Sequence, residues 1–259
     1  MHHSYLDKYA RKSSIIHALD ARVKLLLTIL FLLSIAAFRY PHYPVLIVIC
    51  VWILVLCTLA KIPLQYLLIR SLVVVPFAGM VALSYAFTFP SGEVYWQWGF
   101  FSFSSGGLEQ ASLLLLRAWL AVCLMVLLIN TCPFDELLNA LQAFRVPALL
   151  ILLLSFTYRF IYLFWDEAER MQRARDLRYF GGQWSRQLTT LGYLVSALFL
   201  RSYWRAERVH AAMLLRAWEG TPPKRTYHRW SPRDWWSAGI GLVVIICLWI
   251  LQYEKTTWR

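Results

Sequence analysis

Charge is scarce in this 259-residue chain: Asp, Glu, Lys and Arg together make up 15% of it, against roughly 25% in a typical soluble domain. The shortage falls hardest on acids, with 14 Asp and Glu against 26 Lys and Arg and a formal net charge of +12. No Walker P-loop occurs, so an ATP-driven role would need hydrolysis by a partner. HExxH and zinc-finger spacings are missing too. His2 and His3 are adjacent near the N-terminus, while His17, His42, His210 and His228 are dispersed, so no metal site is expected. The five cysteines, Cys50, Cys57, Cys123, Cys132 and Cys247, lie mostly in apolar runs. That placement suits small buried side chains rather than a disulfide framework or a redox role. Residues 1–24 have no apolar core and no cleavage-site pattern. They do not read as a cleaved signal peptide and are expected to stay in the cytoplasm.

Apolar residues are abundant, at 59% of the chain, and there are 13 Trp. Repeated apolar runs with interfacial aromatics define an integral membrane protein. A soluble nucleic-acid binder would not need such runs. The positive charge suits anionic lipid headgroups or an acidic protein partner, and no nucleic acid.

Five stretches are candidate spans: Val23 to Phe38, Val45 to Ala60, Ser71 to Phe89, Leu108 to Ile129, and Trp236 to Leu251. A span needs roughly 17 to 25 residues, so the shorter ones must borrow flanks, with Arg22, Lys24 or Lys61 reaching for the interface. The proline-bearing "RYPHYP" joins the first two as a hairpin. Ile62 to Ile69 reads as a short amphipathic connection between Lys61 and Arg70. The loop "SGEVYWQWGFFSFSSGG" contains no Lys or Arg. By the positive-inside rule, the basic N-terminus and Lys61 to Arg70 then lie in the cytoplasm and the aromatic loop outside. Arg117 sits nine residues after Leu108, well inside the fourth span. There it must pair with an internal acceptor or reach a polar cavity, as a structural partner or as part of a transport movement.

Between the fourth and last spans the chain turns basic without turning hydrophilic. Pro133, Asp135 and Glu136 open an amphipathic helix over Phe134 to Phe144 that stops before Pro147. Ala148 to Trp165 is apolar enough to span, but carries Arg159, and an arginine at a helix centre costs about 2.5 to 3.5 kcal/mol on insertion scales. Gln187 to Leu200 is short for a span. If both crossed, the sidedness of the rest would be unchanged, so a seven-span alternative stays open beside the five-span reading.

Two stretches in this region end alike. "RMQRARDLR", Arg170 to Arg178, precedes Gly181 and Gly182, and "AMLLRAWEG", Ala212 to Gly220, precedes Pro222 and Pro223. Both read as helix ends rich in arginine. Arg201, Arg205 and Arg208 recur at intervals of four and three on one face, and Glu169 can pair with Arg173. Basic groups near a helix C-terminus also interact well with its negative end, for about 0.3 to 1 kcal/mol each.

With these motifs the chain resembles the transmembrane T component of energy-coupling factor transporters, the EcfT/CbiQ family. Its N-terminal "LDKYARKSSIIHALDARVKLL" is most similar to the cobalt and nickel branch, CbiQ. Members carry two Ala-Arg-Gly-like motifs at the ends of cytoplasmic coupling helices. The matching positions are Ala174, Arg175 and Asp176, and Leu215, Arg216 and Ala217. Both arginines match. Both glycines are replaced, as is the first residue of the second motif, and Asp176 and Ala217 lack glycine's freedom at positive φ.

The resemblance implies an all-α integral membrane protein with five transmembrane helices and a coupling region of about three amphipathic or buried helices between spans four and five. Residues 1–22 would be a cytoplasmic N-terminus, 23–129 a four-span membrane region, 130–235 the cytoplasmic coupling region, 236–251 the last span and 252–259 a tail. It implies an energy-coupling subunit of an ATP-driven cobalt importer in a bacterial inner membrane, itself non-catalytic and without a cofactor of its own. Its partners would be two ABC-type ATPase subunits that bind ATP and Mg, a substrate-binding S component of the CbiM type, and a small accessory membrane subunit. Arg175 and Arg216 would dock the ATPases, with Arg173 and Arg208 in support. Nickel or a vitamin as cargo, a membrane scaffold that drives no transport, and an independent seven-span secondary transporter are the alternatives.

Overall fold

A computed structural model describes residues 14, 16–38, 43–88, 94–98, 101–178, 184–218 and 231–256. The chain divides into two compact units. One holds His2–Ala140 together with Tyr227–Arg259, and the other holds Leu141–Thr226.

The first unit is a helical bundle. Its helices are α1 (Ala21–Ala37), α2 (Tyr43–Leu59), α3 (Leu64–Leu72), α4 (Val74–Thr88), α5 (Ser105–Thr131) and α9 (Pro232–Thr256), with α6 (Phe134–Ala143) starting in it and ending at its boundary. α2 shows why these runs pack. Val45, Ile49, Ile53 and Cys57 recur every four residues and are all buried. Ile47, Val51, Leu54 and Val55 point outward and stay exposed, as they should on a helix whose other face meets lipid. The buried faces of α1, α2, α5 and α9 form one core around Phe31, Ile35, Ile49, Leu120 and Leu248. Phe31 stacks on Trp52, and Phe38 meets Trp249 edge-on. A Cβ on Gly241 would lie 2.6 Å from a Leu27 methyl, so glycine there is what lets α9 approach α1.

Among the described residues, α5, α7 (Ala148–Arg178) and α9 are long and apolar enough to cross a membrane. α3 and α4 together make a fourth candidate, bent by 48° at their junction, and α2 is a shorter apolar helix. The expected third span, Ser71 to Phe89, is therefore half of a broken pair. Pro76 explains the break. It cannot donate to the Leu72 carbonyl four residues earlier, and its ring crowds that carbonyl, so α3 cannot run on through Val73. α7 meets the same length criterion as α5 and α9. What sets it apart is its charged second half, from Asp166 to Arg178.

The aromatic loop is more ordered than a simple connection. β1 (Val94–Trp98) pairs antiparallel with β2 (Phe101–Ser104), from Val94↔Ser104 to Trp98↔Phe101, with an irregularity between Val94 and Trp96. Val94 and the aromatic residues Tyr95, Trp96, Trp98, Phe101 and Phe103 favour such a ladder, and the extra residue marks a bulge. The fold remains that of an all-α membrane protein, with this one small hairpin added to it.

The second unit contains α7 and α8 (Trp184–Leu214), each of 31 residues. At 1.5 Å per residue each is about 46 Å long. α8 begins at Trp184 and continues unbroken through Leu214, so the short apolar run Gln187 to Leu200 and the arginine-bearing stretch after it form one helix. Ile151 is the one buried residue of α7.

Candidate coupling surface

Each arginine motif lies at the end of one of these two helices, and the local geometry differs. α7 runs through Arg178, so Asp176 is helical and needs no positive φ. Its carboxylate instead captures its neighbour. Arg175 Nε and Nη2 both donate to Asp176 Oδ1, at 2.9 and 2.7 Å, and the Arg175 side chain is 31% exposed. Ala174, on the other flank of Arg175, is exposed.

α8 stops at Leu214 and closes in a Schellman turn. The Trp218 N–H donates to the Met213 carbonyl at 3.1 Å, and the Ala217 N–H donates to Leu214 at 3.0 Å. Ala217 has φ 55°, the left-handed position normally filled by glycine. Arg216 is thus the last residue before the turn, exposed beside Leu215, which is 90% exposed. The two missing glycines therefore mean different things: at Asp176 nothing in the backbone asks for one, and at Ala217 the backbone asks and alanine complies. The helix ends before the Gly220 and Pro222 that marked it in sequence.

Two other helix ends repeat this device. Lys61 has φ 54° and Arg145 φ 60°, with the Ile62 N–H bonded to Cys57 and the Val146 N–H to Leu141. Each is followed by an apolar residue and then proline, which ends a helix without glycine.

Upstream of the motifs, α7 and α8 enclose a cleft of about 300 Å³. The helical spacing of Arg201, Arg205 and Arg208 brings all three to it, beside Glu167 and Trp204. Arg201 Nη1 pairs with Glu167 Oε1 across the two helices. Arg173 pairs with Glu169 at 3.3 Å, one turn apart on α7, and Trp165 Nε1 donates to Glu169 at 3.0 Å. The surface is amphipathic: guanidiniums at the ends and in the cleft, and exposed apolar side chains such as Leu153, Leu154, Val195 and Phe199 along the stems.

The bundle unit holds polar residues whose partners are distant in sequence. Lys24, expected to extend to an interface, is 7% exposed. Its Nζ donates to the carbonyls of His17 and Thr131, each at 3.1 Å. Thr131 is the last residue of α5, so the ammonium sits where that helix's carbonyls are unpaired and negative. Asp234, buried at the start of α9, accepts from the Asp20 N–H at 2.9 Å and the Ser231 N–H at 2.8 Å. Asp20 in turn caps α1 by accepting from the Arg22 N–H. The Asn130 carbonyl can only accept, so His17 Nε2, 3.3 Å away, carries the proton, which leaves Nδ1 to accept from Ser14 at 2.7 Å in the neutral ring. Cys132 lies in the same knot. Burial, with Glu136 and Asp20 nearby, outweighs Lys24 and pushes its thiol up to about 11. That is the behaviour of an inert packed cysteine.

Arg117 finds internal acceptors. Its Nη2 donates to the Ile35 carbonyl at 2.5 Å and the Ala36 carbonyl at 3.2 Å, at the end of α1. Both inward-pointing cations of the bundle thus cap the C-terminus of a neighbouring helix. Among the described residues, no group of three or more His, Cys, Asp or Glu could hold a metal ion.

The model of the CbiQ family, described as "Cobalt transport protein", matches residues 12–228. Similar curated proteins include the energy-coupling factor transporter transmembrane protein EcfT of Streptococcus thermophilus, 29% identical over 96% of this chain and 97% of that protein. The protein of the same name from Streptococcus equi is 30% identical, over 93% of each chain. A putative fused cobalt transport protein CbiMQ of Methanocorpusculum labreanum is 32% identical over 46% of this chain and 20% of its own length.

Proposed function

This chain belongs to the CbiQ family of cobalt transport proteins, and from that premise we propose that it is the energy-coupling subunit of an ATP-driven cobalt importer. The observation that carries the reading is the pair of 31-residue helices, α7 and α8, ending at Arg175 and Arg216 in a chain that lacks any nucleotide-binding motif of its own. Two ABC-type ATPases, binding ATP and Mg, dock at these two ends. Their closure moves α7 and α8, and the apolar stems pass the movement to a separate substrate-binding membrane subunit. The chain itself catalyses nothing. The N-terminus and the Leu141–Thr226 unit face the cytoplasm, where the ATPases are.

Docking at Arg216 requires no rearrangement of its own side chain, because it has no hydrogen-bond or ion-pair partner among the described residues. Docking at Arg175 exchanges an intramolecular partner, Asp176, for an acidic or carbonyl acceptor on the ATPase. Arg208 and Arg205 in the cleft, and Arg173, add positive potential along the approach.

Cobalt is the favoured cargo because of the family description, and the fused CbiMQ relative supports a CbiM-type substrate-binding partner. The cargo itself binds elsewhere than in this subunit. Reconstitution of the chain in vesicles with its two membrane and ATPase partners tests this: ATP-dependent accumulation of cobalt, with nickel as the main competitor, is the expected result. Uptake of a vitamin and of neither metal would reverse the cargo assignment.

A further inference from the structure

A large groove lies in the bundle unit, about 820 Å³ in volume and lined from α1, α2, α5 and the start of α9. Its walls are almost wholly apolar, with Phe31, Val55, Leu56 and Leu124 among them. Three cationic or donor groups interrupt that surface. Arg233 stands exposed at the first turn of α9. Lys24 lines the groove while 7% exposed; two carbonyls take two of its protons, and among the described residues no carboxylate lies within ion-pair distance. An ammonium has three donors, so one remains. Trp52 also lines the groove, and its Nε1 is buried without a hydrogen-bond partner.

These groups are spaced along the groove. Trp52 stacks on Phe31, seven residues along α1 from Lys24, which is about 10 Å of helix. The order is therefore a cationic end, then a single neutral donor, then apolar wall. Glu136, Asp20 and Asp234 act on Lys24 only from a distance and do not make up for its burial, and a buried ammonium with a donor unused and a buried indole N–H without an acceptor are both costly unless a ligand completes them. The matching ligand carries an anion at one end, then a neutral acceptor, then a hydrocarbon chain. The helices that form the groove expose apolar side chains such as Leu26, Ile29, Ile47 and Val51 on their outer faces, as membrane-facing helices do.

We propose that this groove holds one anionic phospholipid, its phosphate against Arg233 and Lys24, an ester oxygen accepting from Trp52 Nε1, and an acyl chain along Phe31, Leu56 and Leu124. A zwitterionic lipid offers the same chain, but its headgroup brings a cation to a site already holding two. The bound lipid would complete the contacts between α1, α2, α5 and α9. It needs neither ATPase nor cargo, so the isolated full chain suffices to test it, whatever becomes of the coupling assignment.

The chain, purified and delipidated in a mild detergent, is titrated with dioleoyl phosphatidylglycerol or dioleoyl phosphatidylcholine and read by native mass spectrometry. One phosphatidylglycerol should bind about tenfold more tightly than phosphatidylcholine. Arg233→Gln, an exposed site, should remove most of that preference. Thr28→Phe and, separately, Val55→Trp should fill the groove and abolish the tight site, each checked for an unchanged unfolding temperature. Equal binding of the two lipids, no bound lipid, or a tight phosphatidylglycerol that survives both groove-filling variants would overturn the proposal.

Discussion

The two units of this chain treat charge in opposite ways. In the bundle, a buried Lys24 and a half-buried Arg117 are answered by backbone: Lys24 by the carbonyls of His17 and Thr131, Arg117 by those of Ile35 and Ala36. In the Leu141–Thr226 unit, cations are exposed or answered by carboxylates on the surface, as in Arg173 with Glu169 and Arg201 with Glu167. The difference follows from solvent. Where water is excluded, every orphan carbonyl at a helix end needs a donor, and a long cationic side chain from another helix supplies one while fixing where the two helices meet. Where water is present, ion pairs are worth little and can be exchanged for a partner's. The bundle is built as a frame, whereas α7 and α8, with scarcely a buried residue of their own, are built to be covered.

The contrast can be broken most easily at Asp234. Its carboxylate satisfies two backbone N–H groups and is 4% exposed. Asp234→Ala should cost roughly 2 to 4 kcal/mol of stability, read by thermal unfolding of the purified chain, while Glu169→Ala on the other unit should cost at most about 0.5 kcal/mol. Equal losses would mean that the two units do not differ as described. Arg117→Met comes next. It strands two carbonyls at the end of α1 and should cost roughly 1.5 to 3 kcal/mol by the same measurement, with Arg117→Lys recovering part of the loss. A silent Arg117→Met would instead point to a role in movement.

A finer contrast lies within the second unit. Restoring the family's glycine at the two motifs should act in opposite directions. Ala217→Gly relieves a left-handed alanine and should stabilise the end of α8 by about 1 kcal/mol. Asp176→Gly places glycine inside a helix and should destabilise the end of α7 by about 1 kcal/mol. Amide hydrogen exchange at the two helix ends reports both, and effects of the same sign would contradict the turn geometry.

Much of this architecture is legible in sequence because hydropathy and charge are local properties. The five candidate spans fall on α1, α2, α3 with α4, α5 and α9, and the amphipathic stretch after Pro133 is α6. The arginine spacing 201, 205, 208 reads as one helix face, and the three side chains line one cleft. What the sequence conceals is long-range or conformational. Lys24 looks like an interfacial lysine until Thr131, 107 residues away, offers its carbonyl. Arg117 finds its partners 82 and 81 residues earlier. Two local signals shape the breaks: Pro76, which breaks the third span, and the apolar-proline pairs after Lys61 and Arg145, which end helices as firmly as glycine does. At the candidate site both arginines are found by their motif, yet only the backbone distinguishes a glycine that is missed from one that is not.

The docking role proposed for the two helix ends is tested most directly by Arg175→Ala and Arg216→Ala, singly and together, in the chain co-purified with the ATPases proposed as its partners. Each single change removes a charge-assisted contact of about 1.5 to 3 kcal/mol, so ATPase recovery or coupled transport should fall about tenfold or more. The double variant should fall further, with membrane insertion intact. A double variant that holds the ATPases and drives uptake like the unaltered chain would contradict the account.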